Sequence, residues 1–210
     1  MSSAPHPVEP FAEAARAYVD LVRRVAAFQW SGPGLGDWDL RALVGHTSRS
    51  LITVETYLDR PASTEAVRTP AAYYLGTATG AGTDAAAVTA RGRAAGVALG
   101  DDPVAFVTEL ADRVVARVRA LAAAGEDPLI ECIVGGIRLS TYLPTRTFEL
   151  VVHGFDIAAA ADLDPPAVSR EVLAGAAALA AEIAAARGEG RELLLALTGR
   201  RRLPPGFSVV

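Results

Sequence analysis

The spacing of apolar residues along the chain predicts a mainly α-helical protein. In most segments apolar side chains recur every three or four positions while charged residues occupy the other faces, which is typical of amphipathic helices. The predicted helices cover residues 8–29, 40–60, 104–124, 144–161 and 168–187, with a weaker alanine-rich helix at 85–99, a helical turn at 71–75 and a short helix at 192–197. Because the connections between the long helices are short, the pattern favours an antiparallel bundle with a helical appendage.

Two aspartates mark expected helix starts. Asp39 directly precedes the apolar stripe of the second helix, and Asp102 is followed by Pro103. An aspartate carboxylate accepts hydrogen bonds from the free amides of the first turn, and proline is well tolerated at the first helical position. We therefore expect both aspartates to be N-caps.

One segment has the composition of β-strands. Residues 129–134 (LIECIV) and 137–142 (IRLSTY) are rich in β-branched side chains, and Gly135-Gly136 separates them. Two such runs joined by a two-residue glycine turn predict a β-hairpin. The hairpin leads directly into the helix predicted from Pro144.

The length and charge of the chain narrow its possible organisation. A chain of 210 residues has room for one ordinary domain and a small addition. We expect a helical bundle over residues 1–164 and a short helical appendage over 165–210 that packs on it as part of one compact unit. The chain has 20 basic and 24 acidic side chains, a net charge of −4, which argues against nucleic acid as a partner.

Sequence features also indicate the cellular compartment. The chain has a single cysteine, Cys132, so it cannot form an intramolecular disulfide, and it begins without the basic start and apolar run of a signal peptide. No apolar stretch approaches the roughly 18 residues of a membrane helix. We expect a soluble cytoplasmic protein with no membrane partner, either a monomer or a homodimer.

The histidines are the strongest candidates for chemistry. His6 lies in a proline-flanked tail, whereas His46 and His153 lie within predicted helices. Glu149 precedes His153 by four residues, so both side chains project from one helix face. Together with His46 from another helix, they could form a three-ligand metal site with one position open for water or substrate.

The same spacing has a simpler interpretation. A Glu and a His four residues apart are commonly a surface pair, and a His in an apolar segment is often a hydrogen-bonded core residue. However, Glu149 lies within the apolar segment FELVVHGF, where a carboxylate without a cation, a metal or water beside it would be costly. The spacing alone leaves both interpretations open.

Two segments resemble motifs of a known family. GLGDWDLRALVGH (Gly34–His46) is similar to the GW-x-x-x-DL-x-x-H segment of the mycothiol-dependent maleylpyruvate isomerase amino-terminal family, a branch of the DinB-like metal-binding bundles. RTFELVVHGFDIAAAA (Arg146–Ala161) resembles the E-x-x-x-H-x-W-D-L-A helix of that family, with Phe155 where Trp is usual. The ending LLLALTGRRRLPPGF resembles short actinobacterial members, which agrees with the alanine-rich and lysine-free composition.

This resemblance implies a DinB-like four-helix bundle in which His46, Glu149 and His153 bind a divalent metal ion, expected to be Zn²⁺. It also implies mycothiol as a thiol cosubstrate. A zinc-bound thiol loses its proton, so a thiolate nucleophile is present at neutral pH. The thiolate could add to a small electrophilic substrate, leading to isomerisation or to S-transfer. A non-catalytic bundle that binds a metal or small ligand, with a regulatory or structural role, is the open alternative.

Other residues are weaker candidates. Asp156, one turn beyond His153, could orient the imidazole, or it could be a helix-surface acid. Arg138 and Arg146 flank the candidate site in sequence and could bind a carboxylate of the substrate or thiol, although a solvated arginine is the commoner case. Trp38 is expected to pack its loop onto the bundle.

Overall fold

A computed structural model describes residues 7–78 and 85–210 of the chain, and it confirms a mainly helical fold. Eight α-helices and one two-stranded antiparallel sheet lie within these residues. The helices are α1 (Val8–Val22), α2 (Leu40–Leu58), α3 (Pro70–Ala78), α4 (Ala85–Ala98), α5 (Pro103–Ala123), α6 (Leu139–Ala160), α7 (Arg170–Ala186) and α8 (Gly190–Leu197), and the strands are β1 (Leu129–Cys132) and β2 (Gly135–Arg138).

Side-chain caps hold the starts of α2 and α5. Asp39 accepts a hydrogen bond from the Ala42 amide at 2.7 Å, and Asp102 accepts one from the Ala105 amide at 2.9 Å. These bonds satisfy amides that have no partner within their helix. Both predicted N-caps are confirmed, and the Asp39 cap fixes the start of the helix that carries His46.

The first helix is shorter than predicted. α1 ends at Val22 rather than near Gln29, and a 3-10 turn follows at Ala27–Gln29. The Gln29 side chain accepts a hydrogen bond from the Ala26 amide at 2.8 Å and donates one to the Ala161 carbonyl at 2.6 Å. The prediction was wrong because this contact with the end of α6 holds the chain in a separate turn after α1.

The core lies among four helices. α1 and α2 each pack against both α5 and α6. Apolar side chains from all four helices are buried there, and their removal from water stabilises the fold. They include Phe11, Leu21, Leu43, Leu51, Val107, Val118, Leu143 and Leu150. This packing places α2 against α6 and so determines which of their polar side chains meet.

α4 approaches α2 at backbone contact distance. A Cβ added to Gly45 would lie 2.3 Å from the Gly96 amide nitrogen, and one added to Gly96 would lie 2.9 Å from the Ala42 Cα. Both distances are shorter than a carbon can approach, so the two glycines allow the helices to touch. Arg41 also donates a hydrogen bond to the Gly96 carbonyl at 2.9 Å. Small residues, rather than a broad apolar stripe, make this contact.

The β-hairpin is confirmed, but its turn lies two residues earlier than predicted. β1 pairs antiparallel with β2, and Cys132 faces Gly135 in the register. The turn is therefore Ile133-Val134, and Gly135-Gly136 belongs to β2. A Cβ at Gly136 would lie 2.0 Å from the Thr64 carbonyl oxygen. Gly136 is thus required for the close approach of the segment before α3, and not for a turn.

The last bundle helix also begins earlier than predicted. α6 starts at Leu139, so residues 139–142 are helical rather than part of a strand, and Pro144 lies inside the helix. The Asp127 carboxylate accepts hydrogen bonds from the Ser140 amide at 2.8 Å and the Ser140 hydroxyl at 2.7 Å. A carboxylate at this position satisfies free amides of the first turn and favours the helix start.

The C-terminal helices pack on the rest of the chain. α7 contacts α6, α3 and α1, and α8 contacts α7. Val172, Ala176, Leu179 and Ile183 recur at helical spacing on α7 and are buried, so one apolar face of α7 makes these contacts. Among the residues that the structure describes, no helix combines the length and apolar character needed to cross a membrane.

Candidate functional site

The structure brings three predicted ligand residues together at the contact of α2 with α6. His46 lies on α2, while Glu149 and His153 lie one turn apart on α6. The ring centres of His46 and His153 are 5.0 Å apart, with the rings edge to face. His153 Nε2 lies 3.3 Å from Glu149 Oε2. The third histidine, His6, is outside the described residues.

Both nitrogens of the His153 ring face a carboxylate. Nε2 faces Glu149, and Nδ1 lies 3.0 Å from Asp156 Oδ2. Burial alone would lower the pKa of His153, but the hydrogen bonds to Asp156 and Glu149 outweigh it and raise the pKa to about 9. Asp156 is therefore in place to orient the imidazole, which is one of the two roles its position in the sequence suggested.

The Glu149 carboxylate is held by a residue from α3. The Tyr74 hydroxyl donates a hydrogen bond to Glu149 Oε1 at 2.8 Å. Burial by itself raises the pKa of Glu149, but hydrogen bonds from His153 and Tyr74 and the charge of Arg146 bring it well below its usual range. Burial and the Glu149 charge raise the pKa of Tyr74. Glu149 is thus ionised and Tyr74 protonated at neutral pH.

His46 lies against an aromatic ring. Its ring centre is 4.5 Å from that of Trp38, whose Nε1 donates a hydrogen bond to the Thr89 carbonyl at 3.0 Å. Trp38 therefore packs its loop against α2 and α4, as predicted. His46 Nδ1 is buried, and no hydrogen-bond partner for it exists among the described residues. Burial and the charge of His153 lower the pKa of His46 to about 4.

The contact between Glu149 and His153 is a hydrogen-bonded pair in this structure. The 3.3 Å between Glu149 Oε2 and His153 Nε2 equals the separation of two ligands that lie about 2.0–2.1 Å from one tetrahedral zinc ion. Across residues 7–78 and 85–210, however, no group of three or more His, Cys, Asp or Glu side chains is arranged to hold a metal ion. His46, with its unpartnered nitrogen, lies beside the pair without completing a three-ligand arrangement.

A cavity of about 220 Å³ opens beside these residues. Side chains from α2, α3, α6 and the hairpin turn line it. They are His46, Arg49, Ser50, Thr53, Tyr57, Tyr73, Tyr74, Thr77, Ile133, Arg146 and Glu149. This volume is smaller than the roughly 300–1,000 Å³ of pockets for drug-sized ligands, so the cavity suits a small molecule rather than a macromolecule.

Most of the residues that line the cavity were not predicted from the sequence. Arg49, Ser50, Thr53 and Tyr57 follow His46 at helical spacing on α2, so the periodicity could have identified them as one face with His46. Tyr73 and Tyr74 come from α3, whose contact with α6 no local pattern predicts.

The two candidate arginines differ in their surroundings. Arg146 is only 8% exposed, and its guanidinium carbon lies 5.1 Å from the Tyr73 ring centre and 4.9 Å from the Tyr142 ring centre. Of the two interpretations left open for Arg146, the solvated one does not apply, because aromatic rings of α3 and α6 surround its guanidinium. Arg138 is exposed and donates to the Asp127 carbonyl at 2.9 Å. It ends β2 and is not among the residues that line the cavity, and its suggested role in the site stays a prediction.

When the chain is compared with known protein families, one family model matches it. A family model described as mycothiol maleylpyruvate isomerase N-terminal domain matches residues 11–158. The match begins within α1 and ends within α6, so it includes every residue that lines the cavity. No curated protein and no solved structure matches the chain significantly.

Proposed function

Because the chain belongs to the mycothiol maleylpyruvate isomerase N-terminal domain family, we propose that it is a metal- and mycothiol-dependent enzyme. It acts as an isomerase or S-transferase on a small electrophile. The observation that carries this proposal is the pair of donors at zinc-compatible spacing, Glu149 and His153, beside His46 and next to a cavity of small-molecule size.

The proposed architecture is a DinB-like four-helix bundle of α1, α2, α5 and α6. The mutual packing of these helices supports it, since each contacts two of the others. The proposed division assigns residues 1–164 to the bundle with its hairpin and residues 165–210 to an appendage packed on it. With one cysteine in the chain, no intramolecular disulfide is needed for this fold, which fits the cytoplasm.

We infer that His46, Glu149 and His153 hold the metal ion, which we take to be Zn²⁺. Two imidazole nitrogens and a carboxylate oxygen are ligands that zinc prefers, and three protein ligands leave a position open. The buried, unpartnered Nδ1 of His46 supports the assignment, since such an atom is costly without a partner. When bound, the ion supplies a positive charge that keeps a thiol deprotonated.

The other residues of the site have definable tasks. Asp156 accepts a hydrogen bond from His153 Nδ1 and so orients the ring, and the proposed ion would take the place of the Nε2 proton that faces Glu149. Tyr74 fixes one carboxylate oxygen of Glu149 and leaves the other facing His153. The Trp38 ring packs against the imidazole of His46 and covers that side of it. The cavity then receives the small molecule beside these groups.

A metal titration tests the first half of the proposal. We expect purified protein stripped of metal to bind one equivalent of Zn²⁺, and Glu149→Gln to weaken that binding at least about 10- to 100-fold. Glu109→Gln, on the exposed face of α5, is the matched control and should bind like the parent protein. Failure of the parent protein to bind zinc stoichiometrically would exclude the metal site.

A thiol assay tests the second half. With zinc bound, the protein should consume members of a panel of small electrophiles only when mycothiol is present, and Glu149→Gln should abolish this turnover. Zinc binding without any effect of mycothiol on binding or turnover would favour the alternative, a non-catalytic metal- or ligand-binding bundle. That alternative draws on the absence of an assembled three-ligand group in the described part of the chain.

A further inference from the structure

The outer face of α8 carries leucines that are exposed to solvent. α8 packs on α7, and its residues Leu193 and Leu195 are half-buried. Leu194 is 63% exposed and Leu197 is 74% exposed. These two lie three residues apart, so they share one face of the helix. A single exposed leucine is ordinary, but here two apolar side chains of one helix face point away from the protein.

Three arginines follow α8 and begin beside its last turn. The backbone amides of Arg200 and Arg201 donate to the Leu195 carbonyl at 2.8 and 3.2 Å. Gly199 has a φ of 72°, the left-handed conformation that such a helix C-cap requires and that glycine adopts without steric cost. The chain therefore turns at Gly199, and the run from Arg200 to Arg202 stays close to the end of α8.

The side chains of these arginines have few partners. Arg200, Arg201 and Arg202 are exposed, and none of them forms an ion pair in the part of the chain that the structure describes. Arg200 donates to the Thr198 carbonyl at 3.1 Å, whereas the other two guanidinium groups have no hydrogen-bond partner there. The arginines line an open depression of about 630 Å³ together with Leu203, which is 37% exposed. We define the α8 patch as Leu194, Leu197, Arg200, Arg201, Arg202 and Leu203.

The charge of the α8 patch is opposite to that of the rest of the chain. Residues 193–210 contain three arginines and no acidic residue, whereas the residues before them contain 17 basic and 24 acidic side chains. If two copies met through this patch, arginines would face arginines, so charge disfavours self-association there. The complementary partner of the patch is an anionic surface.

The leucines favour a lipid surface among the anionic ones. Phosphates at the surface of a bilayer attract guanidinium groups, and the acyl layer directly below them accepts leucine side chains. Nucleic acid offers phosphates but no apolar layer for aliphatic side chains, and proteins that bind its single strands use stacking aromatic rings, which the α8 patch lacks.

We propose that the α8 patch docks the protein reversibly on the surface of a membrane that contains anionic lipids. The expectation of no membrane partner rested on the lack of a spanning stretch, which surface docking does not need. The inference goes beyond the proposed function, and it requires neither the metal nor the thiol. Failure of the zinc and thiol assays would therefore leave it unaffected.

Co-sedimentation of the full-length protein with sucrose-loaded vesicles tests the proposal. The vesicles consist of phosphatidylcholine alone or of phosphatidylcholine with about 30 mol % phosphatidylglycerol. We expect binding to the anionic vesicles to be at least about tenfold tighter than to the neutral ones, and to weaken as salt is added. Equal binding to both vesicles, or none to the anionic ones at low salt, would overturn the proposal in favour of an acidic protein partner.

Arginine variants locate the contact. Each basic residue near an anionic surface strengthens binding about fivefold, so Arg201→Gln combined with Arg202→Gln should weaken it about 20- to 30-fold. Arg16→Gln combined with Arg68→Gln is the matched control, because both residues are exposed and the net charge changes equally. The control should retain most of the binding. Equal losses in the two double variants would contradict the assignment, since net charge rather than the α8 patch would then decide binding.

Leucine variants separate docking of α8 from a purely electrostatic contact. Leu194→Ser combined with Leu197→Ser removes apolar contact and should weaken binding at least about tenfold. Leu173→Ser is the control, because Leu173 is 46% exposed on α7 and lies outside the patch. Circular dichroism verifies that the variants are folded, as expected for changes at exposed positions. Unchanged binding of the folded leucine double variant would overturn the docking of α8.

Discussion

At the scale of single residues, Tyr74 connects α3 to the proposed ligand on α6. Its hydroxyl donates to Glu149 Oε1 at 2.8 Å and lies 3.1 Å from the Thr145 carbonyl. A hydroxyl that holds a ligating carboxylate limits the orientations available to it, and loss of such a contact typically weakens metal binding by about 10- to 100-fold. We therefore assign Tyr74 a positioning role.

The substitution Tyr74→Phe tests this role. It keeps the ring and removes the hydroxyl, so we expect zinc affinity to fall about tenfold or more and the free energy of unfolding to fall by about 1 kcal/mol. Competition with a chelator and urea unfolding measure the two effects. Tyr57→Phe is the matched control, because Tyr57 lines the same cavity and its hydroxyl has no hydrogen-bond partner among the described residues. Equal losses in both variants would contradict the role.

The sequence could indicate some of these residues but not others. Glu149 and His153 share a helix face by spacing alone, and their apolar surroundings made them stand out. The enclosure of Arg146 could not be predicted, because it depends on Tyr73 from α3 and on how α3 meets α6. The role of Tyr74 depends on the same contact. Residues whose function arises from one helix are visible in sequence, whereas those that require a contact between helices are not.

At the scale of elements, the contact of α2 with α4 positions two side chains of the candidate site, His46 and Trp38. Gly45 precedes His46 and touches the backbone of α4 around Gly96, while Gly92 on α4 lies against the Trp38 ring. A Cβ at Gly92 would lie 2.3 Å from the Trp38 Cε2 atom. The position of α4 therefore sets the position of both His46 and the ring that covers it.

The substitution Gly45→Ala should separate α2 from α4. Its Cβ would meet backbone atoms at 2.3–2.6 Å, and we expect a loss of about 1–3 kcal/mol in the free energy of unfolding together with weaker zinc binding. Gly175→Ala is the matched control, since Gly175 lies within α7 with no atom within 4 Å of an added Cβ. That change should stabilise by about 0.5–1 kcal/mol. Urea unfolding measures both, and an unchanged Gly45→Ala protein would contradict the contact.

The elements themselves were largely predictable, and their errors have physical causes. Caps such as Asp39 and Asp102 are local, so the starts of α2 and α5 followed from the sequence. The hairpin turn was misplaced because Gly136 serves a contact with Thr64, which lies far from it in the chain. α6 begins early because Asp127 caps it across the hairpin. Element boundaries could thus be predicted where the interacting residues are adjacent in sequence, and not where they are distant.

At the scale of the whole molecule, α7 is the helix through which the proposed appendage packs on the bundle. Its buried residues, including Val172, Leu179 and Ile183, face helices α1, α3 and α6. α3 carries Tyr74 and α6 carries Glu149, so α7 packs against both helices that supply these residues of the candidate site. If the proposed appendage folds with the bundle as one unit, a loss of packing on α7 must destabilise residues far from it.

The substitution Leu179→Ala tests this coupling. Leu179 is 5% exposed, and truncation of such a side chain costs about 2–5 kcal/mol. Both tryptophans, Trp30 and Trp38, lie outside α7, so their fluorescence reports the rest of the chain while far-UV circular dichroism reports all helices. We expect the two probes to give coincident urea transitions, shifted equally to lower urea by Leu179→Ala.

The control for that experiment is Leu173→Ala, because Leu173 lies on the same helix but is 46% exposed and should change stability little. If the appendage were an independent unit, Leu179→Ala would shift only part of the circular dichroism transition and leave the tryptophan transition where it was. Coincident shifts mean instead that packing on α7 contributes to the stability of the helices that carry His46 and Glu149. The cavity and its arginines would then be held in place by residues that never contact the ligand.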